Sequence, residues 1–133
     1  MIVAKMPVVE PMNQRDEELL GIAIDMAAEN MRANVGGPFG AVVVRGDEII
    51  GRGTNLVTSA LDPTAHAEMV AIRTACQNIG DFKLENSTIY TSCEPCPMCL
   101  AGIYWARIER VVFACTREDA AGIGFDDDHI YQQ

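Results

Sequence analysis

The chain has 133 residues, 49% of them hydrophobic, and a formal net charge of −9, which predicts one compact, acidic domain that spans residues 1–133. No apolar run reaches the ~20 residues of a membrane-spanning helix, and no basic-then-apolar stretch at the N-terminus marks an export signal, so we expect a cytoplasmic protein. With 10 Lys and Arg against 19 Asp and Glu, nucleic acid is not the expected partner, because its binding depends on basic contacts to phosphate.

The first half of the chain predicts a helix followed by a hairpin. Residues 1–12 contain two prolines and no clear period, so we expect a loose lead-in there. Apolar residues at helical spacing predict a helix over 13–33, with Asn13 as its cap. The apolar run over 39–44 is typical of a strand buried on both faces, and residues 48–53 return as a second strand after a tight turn.

The second half of the chain predicts helices that alternate with strands. A helix is expected to begin at the N-cap Asp62, which a proline follows, and to extend to about Asn78. Strands are predicted over 87–91 and 110–114, with a helix over 96–106 between them. A hairpin followed by alternating helices and strands indicates an α/β sandwich with a mixed sheet.

Two short blocks, His66-Ala67-Glu68 and Pro95-Cys96-Pro97-Met98-Cys99, carry the candidate chemistry. Both fall in the first turns of predicted helices, where free backbone N–H groups and the helix dipole favour thiolates. Cys96 and Cys99 are three residues apart, so one turn brings both sulfurs to one side, and His66 adds an imidazole from the other helix. Three such ligands leave a tetrahedral zinc with an open position, as in catalytic sites. H-x-E with a distant P-C-x-x-C is a signature of zinc deaminases of nucleobases.

Glu68 is the candidate proton carrier of this site. Positions two apart point roughly 200° apart on an ideal helix, so the sequence leaves open whether Glu68 and His66 converge. If the longer side chain of Glu68 curls back over the helix start, it can move a proton from water to a ring nitrogen. Such general acid–base catalysis is typically worth ~10²–10⁴ in rate.

The remaining cysteines allow other interpretations. The total of five is odd, which argues against a purely disulfide framework and suits reduced thiols. Cys93 could complete a closed Cys₃His site, which would be structural, and a C-x-x-C pair alone could be a redox pair. Cys76 and Cys115 lie in apolar segments, where we expect small core residues.

Four segments resemble a known family. The chain is similar to the cytidine-deaminase-like superfamily and, within it, to the small zinc-dependent guanine deaminases of bacterial type. The first three segments also fit deaminases that act on cytosine or on tRNA adenosine, whereas the fourth, with its G-F-D-D stretch, is the narrower signal. They are GGPFGAVVV (36–44), TNLVTSALDPTAHAEMVAIR (54–73), YTSCEPCPMCLAGIYWAR (90–107) and DAAGIGFDDDHIY (119–131).

The resemblance implies a fold and a metal site. The fold is a three-layer α-β-α sandwich, in which helices flank a central mixed sheet. One zinc ion per subunit is held by His66, Cys96 and Cys99, with Glu68 as the proton shuttle, and Cys93 is not a ligand. The implied reaction is the hydrolytic deamination of guanine to xanthine and ammonia.

The resemblance also implies which residues hold the base. Asn55 and the backbone near Ala67 bind its edge, where an amide offers both a donor and an acceptor. Phe39 and Trp105 form the walls of the pocket, since aromatic rings can stack on a flat base. Asp127 assists at the exocyclic amine, because a carboxylate can accept from its N–H groups.

Other expectations concern assembly and rival functions. The resemblance implies a homodimer whose subunits exchange C-terminal tails, and we expect that tail to be absent from these 133 residues. Rival substrates are guanosine, cytosine, an aminotriazine and tRNA adenosine. A non-catalytic, zinc-stabilised interaction module is a rival of another class, and it requires a fourth protein ligand.

Overall fold

The computed structural model describes residues 2–3, 12–34 and 36–116. Helices and strands alternate along these ranges much as predicted, and a short helix follows the hairpin. The elements are β1 (Ile2–Val3), α1 (Gln14–Arg32), β2 (Gly40–Arg45), β3 (Glu48–Thr54), α2 (Val57–Ala60), α3 (Ala67–Ile79), β4 (Ser87–Cys93), α4 (Pro97–Trp105) and β5 (Arg110–Cys115).

The strands form one mixed sheet in the order β1-β5-β4-β2-β3. β4 and β5 are parallel, and the other neighbours are antiparallel. β2 is buried on both faces. Successive side chains of the strand point to opposite faces of the sheet, and each face belongs to a different core. One core packs α1 against the sheet, and the other packs α3 and α4 against the opposite face. The predicted α/β sandwich of three layers is therefore confirmed.

The helix whose N-cap was predicted at Asp62 is α3, and its N-cap lies four residues later, at His66. Asp62 does not cap this helix, because its Oδ1 accepts hydrogen bonds from the Thr64 backbone N–H at 2.8 Å and the Thr64 hydroxyl at 2.7 Å. Asp side chains commonly stabilise a turn in this way, in competition with a helix. The prediction of an N-cap at Asp62 was wrong, and His66 takes that position instead.

The N-terminal residues also differ from the predicted loose lead-in. Ile2 and Val3 form a short edge strand, which pairs antiparallel with β5 opposite Val111 and Arg110. Residues 4–11 and 117–133 lie outside the described part of the chain, and with them the acidic stretch that contains Asp127. No helix within the described ranges is long and apolar enough to cross a membrane.

A buried carboxylate joins α1 to the sheet. Asp16 is 1% exposed and forms a capping box with Asn13 at the start of α1. Its carboxylate accepts a hydrogen bond from the Tyr90 hydroxyl at 2.7 Å and two from the Arg110 guanidinium at 2.8 and 2.6 Å. The hydrogen bonds from Arg110, with help from Tyr90 and Asn13, hold the pKa of Asp16 well below its usual range.

Candidate active site

The first turns of α3 and α4 bring one imidazole and two thiols together. His66 is the N-cap of α3, Cys96 is the N-cap of α4, and Cys99 follows one turn later. The Nδ1 atom of His66 lies 3.5 Å from the Sγ atoms of both cysteines. One ligand atom from each of the three residues lies within 4.8 Å of the other two. The two predicted blocks therefore meet at one point.

The geometry of this cluster fits a tetrahedral zinc ion. With Zn–S at 2.3 Å and Zn–N near 2.1 Å, a tetrahedral site separates sulfur from nitrogen by about 3.6 Å. The observed separation of 3.5 Å from Nδ1 to each sulfur agrees with this value. Nitrogen and sulfur donors are those that zinc prefers.

The electrostatics of the two thiols also favour a cation. The hydrogen bond from the Cys99 thiol, together with the contacts of His66, lowers the pKa of Cys96 to about 4. The same hydrogen bond, together with burial, raises the pKa of Cys99 far above its usual range. The two thiols therefore resist ionising together, because the second thiolate would face the first. A divalent ion stabilises both charges at once, and the donor set therefore fits the metal.

Glu68 lies beside the metal-ligand cluster. It occupies the first turn of α3 and is 8% exposed, and the Cys99 thiol is among its hydrogen-bond partners. Burial raises the pKa of Glu68 to about 7, although hydrogen bonds with its own backbone N–H and with Cys99 act in the opposite direction. The angle of roughly 200° between helical positions two apart does not apply here. His66 precedes the helix with an extended backbone, at φ −66° and ψ 156°.

The other cysteines lie outside this cluster. Cys93 and Cys115 face each other in the parallel pair of β4 and β5 and are joined as a disulfide. The expectation of a core thiol at Cys115 was wrong, because this position at the end of β5 is half-buried and paired. Cys76 is a free thiol that packs, partly buried, against the core of α3.

The predicted base-holding residue Asn55 directly follows β3. Its side-chain Oδ1 accepts a hydrogen bond from the Val57 backbone N–H at 3.1 Å. Its backbone carbonyl accepts one from Asn30 Nδ2 at 3.0 Å. Sequence analysis missed Asn30, although a signal existed. It continues the helical stripe of Ala23 and Ala27, which are buried, so a polar residue there needs partners.

The other predicted pocket residues differ in burial and in their position relative to the metal-ligand cluster. Ala67 is fully buried at the start of α3, between the metal-ligand candidate His66 and Glu68. Phe39 packs, partly buried, against the core at the start of β2. Trp105 is 70% exposed at the far end of α4 from Cys96, where its ring meets that of Tyr104 edge-on. The described residues therefore do not bring Trp105 to the cluster, and Asp127 lies outside them.

Comparison with known proteins places this site in a family. The cytidine and deoxycytidylate deaminase zinc-binding region matches residues 13–115. The guanine deaminase of Bacillus subtilis is 52% identical over 117 residues, which cover 88% of this chain and 75% of that protein. A tRNA-specific adenosine deaminase of Haemophilus influenzae is 41% identical over 118 residues, which cover 84% of this chain and 68% of that protein.

Solved structures agree with these similarities. The X-ray structure of the Bacillus subtilis guanine deaminase matches 92% of this chain and 76% of its own with a TM-score of 0.86. A structure of a guanine deaminase from Nitrosomonas europaea, at 29% identity, matches 88% of this chain and 67% of its own with a TM-score of 0.79. The chain therefore belongs to the zinc-binding cytidine and deoxycytidylate deaminase family.

Proposed function

We propose that this protein is a zinc-dependent guanine deaminase, a hydrolase that converts guanine and water to xanthine and ammonia. The observation that carries the proposal is the 52% identity to the Bacillus subtilis guanine deaminase over 88% of the chain. The chemistry of the His66, Cys96 and Cys99 cluster, with Glu68 beside it, supports the same reaction. The substrate is then a free purine base.

In this proposal His66 Nδ1 and the thiolates of Cys96 and Cys99 hold the zinc ion. When bound, zinc polarises a water molecule and lowers its pKa towards about 7, which makes attack possible at neutral pH. The protein supplies the positions of these ligands through the two helix starts. The helix dipole at the start of α4 favours the thiolate form on which zinc binding depends.

Glu68 is the proposed proton carrier. As the water oxygen bonds to C2 of guanine, Glu68 accepts one proton of the water and delivers it to N3. The second proton passes to the exocyclic amine, the C2–N bond breaks, and ammonia leaves, so that C2 becomes the carbonyl of xanthine. Burial of Glu68 supports this role, because a carboxyl group shielded from bulk water exchanges its proton with the substrate rather than with solvent.

The base itself is held by residues around the cluster in this proposal. Asn55 and the backbone of Ala67 bind the edge of guanine, Phe39 covers one of its faces, and Asp127 assists the departing amine. Trp105 is not assigned to the pocket, because it is 70% exposed at the end of α4 far from Cys96. The Asx turn to Val57 supports the role of Asn55, because it fixes the orientation of the amide that meets the base.

We also propose that the protein works in the cytoplasm as a homodimer. The exposed rings of Tyr104 and Trp105, at 60% and 70% exposure, support an interface at the end of α4, because adjoining exposed aromatic rings often mark one. Light scattering coupled to gel filtration tests the oligomeric state, and a monomeric mass would contradict this part of the proposal.

A deaminase of tRNA adenosine is the second candidate, because tRNA-specific enzymes are among the relatives. The net charge of −9 disfavours it, since RNA binding gains most of its affinity from basic contacts. The deciding experiment incubates the zinc-loaded protein with guanine, guanosine, cytosine, an aminotriazine and tRNA, and measures ammonia and inosine. We expect ammonia from guanine. Turnover of another substrate with none of guanine would reject the assignment.

A further inference from the structure

A buried amide near the C-terminal end of α1 holds two separate segments of the chain. Asn30 is 7% exposed, and its Nδ2 donates hydrogen bonds to the carbonyls of Gly37 and Asn55, both at 3.0 Å. Because both acceptors are carbonyl oxygens, the atom that faces them must be the nitrogen of the amide. Both of its hydrogens are therefore used, and α1 is joined to each segment.

Of the two segments held by Asn30, the one that contains Asn55 lies beside the start of α3. Gly37 belongs to the loop that leads to Phe39, and Asn55 follows β3. Near its end, β3 lies directly against the first turn of α3, since a Cβ added at Gly53 would clash with the carbonyl of Ala67. The position of Asn55 relative to the cluster is therefore set by backbone contacts on both sides of it.

The loop that contains Gly36 packs tightly against Asn55 and Asn30. A Cβ added at Gly36 would clash with the carbonyl of Asn55 and press on the amide of Asn30. The Asn55 side chain is in turn fixed to the following backbone through Val57. A displacement of the Asn55 backbone is therefore passed on to its side-chain amide, which cannot compensate by rotating freely.

We propose that Asn30 is a positioning residue, which sets the place of Asn55 relative to the metal-ligand cluster and thereby the affinity for the base. The inference rests on the proposed function, in which Asn55 binds the edge of guanine. Asn30 acts through Asn55 and through the Gly37 loop, and it touches neither the base nor the metal.

The first test is Asn30→Ala, which removes the side-chain donor to the carbonyls of Gly37 and Asn55, while the carbonyl of Gly37 keeps its hydrogen bond from the Phe39 backbone N–H. We expect KM for guanine to rise about tenfold, the effect of roughly one well-formed hydrogen bond, while kcat changes less than twofold and zinc stays at one per chain. Calorimetric binding of guanine to the inactive Glu68→Gln protein, with and without Asn30→Ala, should show the same loss of affinity.

The matched control is Asn78→Ala. Asn78 Nδ2 donates to the carbonyl of Ile50 at 2.8 Å, so it also joins a helix to a neighbouring segment, but at the far end of α3 from His66. We expect this variant to lose stability without a change in KM. Asn30→Ser, which can donate to one carbonyl, should give an intermediate KM, and it replaces Asn30→Ala if that variant does not fold.

The possible outcomes distinguish a failure of the positioning role of Asn30 from a failure of the proposed guanine deaminase function. If guanine is turned over and KM stays within twofold of wild type in both Asn30 variants, the positioning role is rejected and the proposed function stands. An equal rise of KM in Asn78→Ala would reject it as well, because the effect would then be general destabilisation. If guanine is not a substrate, the proposed function fails, and the same comparison on the base that is turned over decides the role of Asn30.

Discussion

The Nδ1 atom of His66 lies 3.5 Å from the Sγ atom of Cys99, although the two residues are 33 positions apart in the chain. This approach joins the start of α3 to the start of α4 and creates a set of three ligands from two helices. Because neither helix carries the set alone, metal binding and the relative position of the two helices depend on each other.

Zinc should therefore stabilise the fold as well as supply the chemistry. We expect Cys99→Ser to lose the metal and all turnover, because the hydroxyl is a poor zinc ligand. Metal present at 100 times its Kd stabilises a protein by about 2.7 kcal/mol, so chelation should lower the Tm of wild type and leave that of Cys99→Ser unchanged. Metal analysis and thermal unfolding check this. Cys76→Ser, at a free thiol outside the cluster, is the control, and loss of zinc in that variant would contradict the assignment.

Replacement of Glu68 by Gln tests the proton carrier. The amide has the same shape but cannot accept a proton, so we expect kcat to fall by ~10²–10⁴ with zinc still at one per chain. Ammonia release and metal analysis on the same sample measure both. Glu85→Gln, at an exposed position, removes the same charge and should leave kcat unchanged. Activity that survives in Glu68→Gln would remove Glu68 from the mechanism.

Replacement of Cys93 distinguishes a catalytic zinc site from a closed structural one. Its sulfur is paired with Cys115 across β4 and β5, so Cys93→Ser should retain zinc and most of the activity. A structural Cys₃His site would instead lose the metal in this variant. Metal content, measured beside Cys96→Ser as the variant that must lose zinc, decides between them. A Cys93→Ser protein without zinc would favour the non-catalytic interaction module.

The parts of this molecule that local sequence determines could be predicted. The helix capped by Asn13, the hairpin and both ligand blocks depend on spacing within a few residues, and their positions were predicted to within a few residues. The start of α3 could not be predicted in this way, because Asp62 has two competing local partners. Its side chain can cap a helix or close a turn with Thr64, and the structure has the turn.

Contacts between distant residues escaped sequence analysis for a different reason. Asp16 and Arg110 are 94 positions apart, and Asn30 and Asn55 are 25 apart. Each pair exists because α1 packs on one face of the sheet, which the periodicity of α1 alone does not specify. A polar residue within a buried helical stripe indicates that a partner exists, but it does not identify the partner.

The buried carboxylate of Asp16 predicts how stability depends on acid. Its pKa is lowered in the folded state, mainly by the hydrogen bonds from Arg110, relative to about 3.9 in an unfolded chain. A carboxylate with a lowered pKa contributes its full stabilisation at pH values above its pKa in the unfolded chain. This contribution is lost as the pH falls through its pKa in the folded protein. The contribution of Asp16 should thus be constant at neutral pH and decline below about pH 4.

Asp16→Asn measures this contribution directly. The substitution leaves the Arg110 guanidinium largely buried without its partner charge, so we expect a loss of about 3 kcal/mol in the free energy of unfolding at pH 7. The difference from wild type should narrow on acidification, because wild type then loses the same charge. Urea unfolding of the zinc-loaded proteins between pH 3 and pH 7 measures the loss of stability at pH 7 and its change with pH. Asp25→Asn, which removes an exposed carboxylate from the same helix, should stay within about 0.5 kcal/mol of wild type. A gap for Asp16→Asn that does not change with pH would mean that packing, and not charge, makes Asp16 important.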